Sequence, residues 1–291
     1  MAEREKDIVP LPLEVRVRMT HALIAVICRE NGIDVLHIKG HSAPDGFYRP
    51  NRTSSDADIL VRPTQAKLLV SLLTANGWKT VTTFESGSIF QHATALWHTV
   101  WGYVDIHRSF PGISIHPDEA FQEFWSRRSS KSIAQQQCNV PDSVDHALLI
   151  AIHAARDPSR GNSDVEYLKL RLEDEWQKVV ARSTEMRAET PFAIATQRTL
   201  PANVESSRDF LLWRALANGD DRLALLQGRL AAANGMFPKA KILASIFIAN
   251  RDHLHMQLQR PPRWSDYVLE FKSRANETLS AWKKHRKGRG E

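Results

Sequence analysis

The chain has 291 residues, 42% hydrophobic and 25% charged, a globular composition that excludes wholesale disorder, collagen and repeat arrays. Thirty-nine Lys and Arg against 33 Asp and Glu give a formal charge of +6, which suits anionic ligands such as nucleotides or RNA. The longest apolar runs, 21–28 and 242–249, fall short of the roughly 20 residues that cross a bilayer, and the charged amino terminus leads into no cleavable apolar segment, so a cytoplasmic protein without membrane contact is expected.

In chain order, residues 12–30 place apolar groups at three-to-four spacing and stop at Asn31-Gly32, which predicts an amphipathic helix. Residues 34–38 are short, β-branched and closed by Lys39-Gly40, a strand running into a turn. A Pro- and Arg-containing loop leads to a second strand over 57–61, and Pro63 opens a helix that stops at Gly77. Stretches 78–84, 88–99 and 101–108 read as consecutive antiparallel strands. From Pro141 the period changes. Residues 141–156, led by a capping Asp, then 164–183, 210–219, 221–235 and 239–258 all read as helices. The expectation is an α+β region over 1–140, an all-helical domain over 141–282 and a basic tail over 283–291, the last read as a solvated end.

The informative segment is Arg52-Thr53-Ser54-Ser55-Asp56-Ala57-Asp58-Ile59-Leu60-Val61. Strand residues two apart share a face, so Asp56 and Asp58 project together while Ala57, Ile59 and Val61 face the other way. Such a pair is costly unless cations neutralise it, and hard carboxylate oxygens suit Mg²⁺. A third acid, Asp105, stands in Val104-Asp105-Ile106-His107 within another strand. Three carboxylates from two neighbouring strands can hold two cations about 3.5–4 Å apart, the arrangement used for in-line displacement at phosphorus. A lone Asp-x-Asp is also a common solvated or capping pair. Its upstream context, Leu36-His37-Ile38-Lys39-Gly40-His41-Ser42 followed by Arg52, adds a glycine turn that admits a phosphate and cations to hold it.

That order of motifs resembles the DNA polymerase beta superfamily of nucleotidyltransferases, and within it a bacterial branch in which Lys-Gly replaces the usual Gly-Gly or Gly-Ser turn. The resemblance rests on Lys39 and Gly40, on Arg52, on Asp56 and Asp58, and on Asp105 with His107; it covers roughly 20–180 and is clearest over 33–108. It implies a polymerase-beta-like mixed sheet with helices. Asp56 and Asp58 would bind both metals and Asp105 the metal that activates the acceptor hydroxyl. Lys39, Gly40 and Arg52 would hold the triphosphate, with Ser42 and Ser54 as candidate hydroxyls in place of the missing Gly-Ser serine. His107, on the face of Asp105, would orient substrate or tune the carboxylate.

The implied activity is a Mg²⁺-dependent (or Mn²⁺-dependent) transfer of a nucleoside monophosphate from a nucleoside triphosphate to an acceptor hydroxyl, on a peptide, a protein or a small molecule. A toxin-like transferase acting on RNA or protein, and a non-catalytic nucleotide- or RNA-binding module, are the alternatives. Other groups are read as packing or surface residues: His92, His98, His146, His153, His253 and His255 form no metal motif, and Trp97, Trp101, Tyr103 and Phe110 suit the core and sheet faces better than base stacking. Cys28 and Cys138 have neither metal-ligand spacing nor a partner for nucleophilic work.

Overall fold

The computed structural model describes residues 11–156, 158–197, 202–219, 222–247, 254 and 263–273. The basic tail, His253 and His255 lie outside them. Helix α1 (Leu13–Glu30) precedes β1 (Val35–His37), a 3₁₀ turn (Gly40–Ser42) and β2 (Asp56–Val61). Helix α2 (Ala66–Ala75), β3 (Lys79–Thr80), β4 (Ala93–His98), β5 (Gly102–His107), α3 (Pro117–Ser126) and the hairpin β6 (Ser129–Ile133) and β7 (Gln136–Val140) follow. Then come α4 (Ser143–Ala154), α5 (Pro158–Leu172), α6 (Trp176–Glu185), α7 (Glu189–Ala195), α8 (Ala202–Glu205), α9 (Phe210–Asn218), α10 (Arg222–Ala232) and α11 (Met236–Phe247). The class is α+β, a mixed sheet with helices followed by a helical C-terminal region, as the sequence predicts.

The sheet order is β1-β2-β5-β4-β3. Only β2 and β5 run parallel; the other three pairs are antiparallel. The alternation of Asp-Ala-Asp-Ile-Leu-Val explains how the sheet divides two apolar layers. Ala57, Ile59 and Val61 of β2 pack with Val104 and Ile106 of β5 against Ile24 of α1 and Leu69 and Leu73 of α2. On the opposite face Leu36, Ile38 and Leu60 join a larger core with Phe110, Phe121, Leu148, Leu168, Trp176, Phe192 and Trp213, which carries the helices that follow the hairpin. The acids therefore stand where that second layer opens towards the start of β2.

Three local differences from the sequence reading have physical causes. The strand expected over 88–99 is paired only from Ala93, because Gln91 takes a left-handed φ of 52° and breaks the extended run. The strand expected over 78–84 shrinks to Lys79–Thr80, as Thr83 and Ser86 close a polar turn. The helix expected over 164–183 is two helices: Glu173, at φ 43°, separates α5 from α6 and lets Trp176 turn in to stack on Phe192, centroids 5.6 Å apart. Asp142 does cap α4, accepting from the Asp145 amide at 2.8 Å.

Candidate active site

Parallel pairing of β2 with β5 sets Asp58 level with Asp105 and Asp56 level with Tyr103. Asp56, Asp58, Tyr103, Asp105 and His107 consequently share one face, with Asp58, Asp105 and His107 offering ligand atoms within 4.8 Å of one another. Lys39 Nζ stands 2.6 Å from Asp58 Oδ1, and the buried His107 Nε2–H donates to the same oxygen at 2.9 Å. Both donors use Oδ1, which leaves Oδ2 for a further cation. Tyr103 is 44% exposed, at the open edge of this face rather than in either core.

The electrostatics are those of a site short of positive charge. Burial, and then the nearby Asp58 and Asp56, push the Asp105 carboxyl up to about 7. Burial and Asp58 likewise raise Asp56. Lys39 is the cation that opposes both shifts most strongly. Arg156 opposes the Asp105 shift and Arg52 the Asp56 shift more weakly. The Asp58 and Asp105 oxygens beside His107 form a donor set that fits a divalent cation such as Mg²⁺, while Asp56 shares their face but stands outside the group of ligand atoms within 4.8 Å.

The turn beside the acids is strained. Lys39 has φ 60° and Gly40 φ 47°, a conformation that non-glycine residues adopt only when their surroundings impose it. A Cβ on Gly40 would lie 2.3 Å from Ser54 Oγ, so the glycine is required for the loop to close against the turn. Ser42 is buried and donates its hydroxyl to the Lys39 carbonyl at 2.6 Å, keeping it inside the turn it stabilises. Gly40, Arg52 and Ser54 instead line a cavity of about 350 Å³, reached along the chain one residue after Lys39 and two before Asp56. Of the two serines proposed from sequence, Ser54 is the one facing that space.

Arg52 is held from a distance. The buried Asp164 of α5 accepts from Arg52 Nε and Arg49 Nε, each at 3.1 Å, while the Arg52 guanidinium lies over the Tyr48 ring, 5.2 Å from its centroid. Asp164→Asn keeps the shape but removes the charge that aligns both arginines. If Arg52 holds a nucleotide, as the sequence resemblance implies, the expected result is about a tenfold rise in KM for that nucleotide with a smaller change in kcat, read from initial rates; an unchanged KM would show that Arg52 is aligned without Asp164.

A layer of neutral imidazoles underlies the acids, and the sequence does not reveal it. Arg156 Nη1 donates to His92 Nε2 at 3.1 Å and Nη2 to His153 Nδ1 at 2.9 Å. His92 therefore carries its proton on Nδ1 and donates to Ser88 Oγ at 2.7 Å. The His92 and His107 rings stand 5.2 Å apart. Burial lowers His92 to about 2, and lowers His107 and His153 as well, with Lys39 and Arg156 adding to all three shifts. Uncharged rings can fix Asp58 and place Arg156 without competing with a cation. His153 in the last turn of α4 and Arg156 just past its end are three residues apart, a spacing that hints at a shared side but not at its partner across the fold. Both cysteines are buried, and burial pushes their thiols up to about 12 for Cys28 and 11 for Cys138, away from the thiolate form that reacts.

No curated protein matches the chain. Two solved structures are similar to it at a low level. The lincomycin-bound lincosamide antibiotic adenylyltransferase LnuA is 16% identical with a TM-score of 0.37, covering 52% of this chain and 95% of its own. An antigenic nucleotidyltransferase-like protein from Paracoccidioides brasiliensis is 14% identical with a TM-score of 0.39, covering 66% and 97%. No helix among the described residues is long and apolar enough to cross a membrane. Residues 16–199, more than half of the sequence and the whole of the acid face with its turn and its histidine layer, match one family along their length, so the chain belongs to the family described as uncharacterised nucleotidyltransferases.

Proposed function

We propose that the protein is a Mg²⁺-dependent nucleotidyltransferase that moves a nucleoside monophosphate from a nucleoside triphosphate onto an acceptor hydroxyl and releases pyrophosphate. The observation that supports this most directly is the level pairing of Asp58 with Asp105 on the face that carries Asp56, with Lys39 as the nearest counter-charge. Asp56, Asp58 and Asp105 would hold magnesium, or manganese in its place, which when bound lowers the pKa of the acceptor hydroxyl and neutralises charge on the phosphates. His107 fixes one oxygen of Asp58. Lys39 swings from Asp58 to the phosphates, a short movement for a flexible ammonium. Gly40 lets the backbone approach the phosphate chain, and Arg52 and Ser54 supply donors to it. Catalysis is then mostly positioning and charge stabilisation.

The acceptor hydroxyl is assigned to a peptide, protein or small molecule. Incubation of the full chain with each α-labelled nucleoside triphosphate and Mg²⁺ or Mn²⁺, alone and with peptides, small hydroxyl compounds or RNA, tests the reading. Label transferred to one class names the acceptor. Label on RNA alone would move the protein to the toxin-like alternative. Nucleotide binding without transfer to any class would make it a binding module on the same fold.

A further inference from the structure

The cavity that Gly40, Arg52 and Ser54 line has cationic residues that the nucleotide assignment does not use. Arg18 of α1 and Lys131 of β6 line it too, together with His41 and Asp45. Two elements outside the acid-bearing strands thus bring cations to the space that begins two residues before Asp56. Burial lowers the His41 pKa, and Arg18 and Lys131 lower it further against the opposing pull of Glu14. His41 Nε2 is buried without a hydrogen-bond partner among the described residues, a polar atom left for a ligand or water to satisfy.

The carboxylates near these cations are weak competitors. Lys131 Nζ donates to the Ala43 carbonyl and lies 3.0 Å from Asp45, whose side chain is 99% exposed. Arg18 pairs with Glu14 one turn back at 2.7 Å, its side chain 51% exposed. Exposed pairs of this kind contribute little and are exchanged readily for a multiply charged anion, whose charge-assisted hydrogen bonds are stronger. The volume, about 350 Å³, lies in the range of small-ligand sites.

We propose that this cavity is an oligophosphate subsite in which Arg18 and Lys131 hold the terminal phosphates of the nucleotide while Gly40, Arg52 and Ser54 hold the part nearer the acids. The assignment rests on the nucleotidyltransferase reading for the identity of the ligand, and on the cavity alone for its chemistry. Arg18 and Lys131 are binding residues here: they lie on the side of the leaving pyrophosphate, and their loss raises the KM for nucleotide far more than it lowers kcat.

Titration calorimetry of the full chain with inorganic tripolyphosphate, with the nucleoside triphosphate and with the bare nucleoside, all in Mg²⁺, tests the proposal. Arg18→Gln and Lys131→Met are each expected to weaken tripolyphosphate and triphosphate binding by about tenfold, with nucleoside binding within about twofold of wild type and Lys131→Arg largely restored. Tripolyphosphate should compete with the nucleotide. Wild-type affinity for tripolyphosphate in the Arg18→Gln Lys131→Met double variant overturns the proposal, as does an equal loss of nucleoside binding. Non-competitive tripolyphosphate binding overturns the assignment to the nucleotide and points to a phosphorylated acceptor. If Lys131→Met unfolds the hairpin, Arg18→Gln, on an exposed helix face, decides alone. Tripolyphosphate binding that needs both residues, in a protein that transfers no label, would leave the subsite standing and remove the transferase reading.

Discussion

Asp58→Asn is expected to reduce nucleotidyl transfer by about a thousandfold or more while melting within a few degrees of wild type. The carboxylate sits at the centre of the acid face, level with Asp105 and bonded through one oxygen to both Lys39 and His107. Asparagine keeps that oxygen as an acceptor, so His107 keeps its partner, but the amide cannot offer a second anionic oxygen to a divalent cation. In the proposed mechanism the lost oxygen is a cation ligand, and its removal takes away charge stabilisation that the cation would supply in the transition state. Two stability effects oppose each other. The Lys39 ammonium, only 11% exposed, loses its ion pair, while Asp56 and Asp105 lose a repelling neighbour. Transfer rates with saturating nucleotide and a thermal melt check both halves. Retention of more than a tenth of the activity would sink the metal-carboxylate mechanism.

The acid face was readable because one strand wrote both of its faces into six residues. In Asp56–Val61 every second side chain belongs to a core, and the remaining positions begin with two acids that no core would accept. Asp105 was readable for the same reason, flanked by Val104 and Ile106. What neutralises and orients these groups was not. Asp164 reaches Arg52 across 112 residues and Arg156 reaches His92 across 64, and pairing at that range leaves no local period to detect. The same holds for the hairpin that presents Lys131. Its first strand is largely exposed, and its turn at Ala134-Gln135 takes φ values of 46° and 64° with neither Gly nor Asn, the residues that normally announce such a turn. Lys39 was legible as a cation beside the acids. Its strained φ and its ion pair with Asp58 came from the structure.

The second large effect concerns Asp105 and is best read as a difference between proteins. Its folded-state pKa, about 7, lies above the ordinary value of 3.8, so between about pH 4 and pH 7 the native chain binds a proton that the unfolded chain has released. Stability from this group is full below pH 4 and is lost as pH rises through 7. The buried histidines work in the opposite sense: His21, His37, His92, His107, His146 and His153 all have lowered pKa values, so their contribution is present above pH 6.5 and lost on acidification. The histidine slope is largely common to wild type and Asp105→Asn and cancels in their difference. Without divalent cations the variant is therefore expected to match wild type near pH 4.5 and to melt higher by about 5 °C at pH 8, where the wild-type carboxylate must ionise beside Asp58 and Asp56. Added Mg²⁺ should close that gap by stabilising wild type alone, while transfer by the variant stays about a thousandfold down. A melting difference that does not vary with pH would mean that Asp105 ionises without penalty and that the three carboxylates do not share one field.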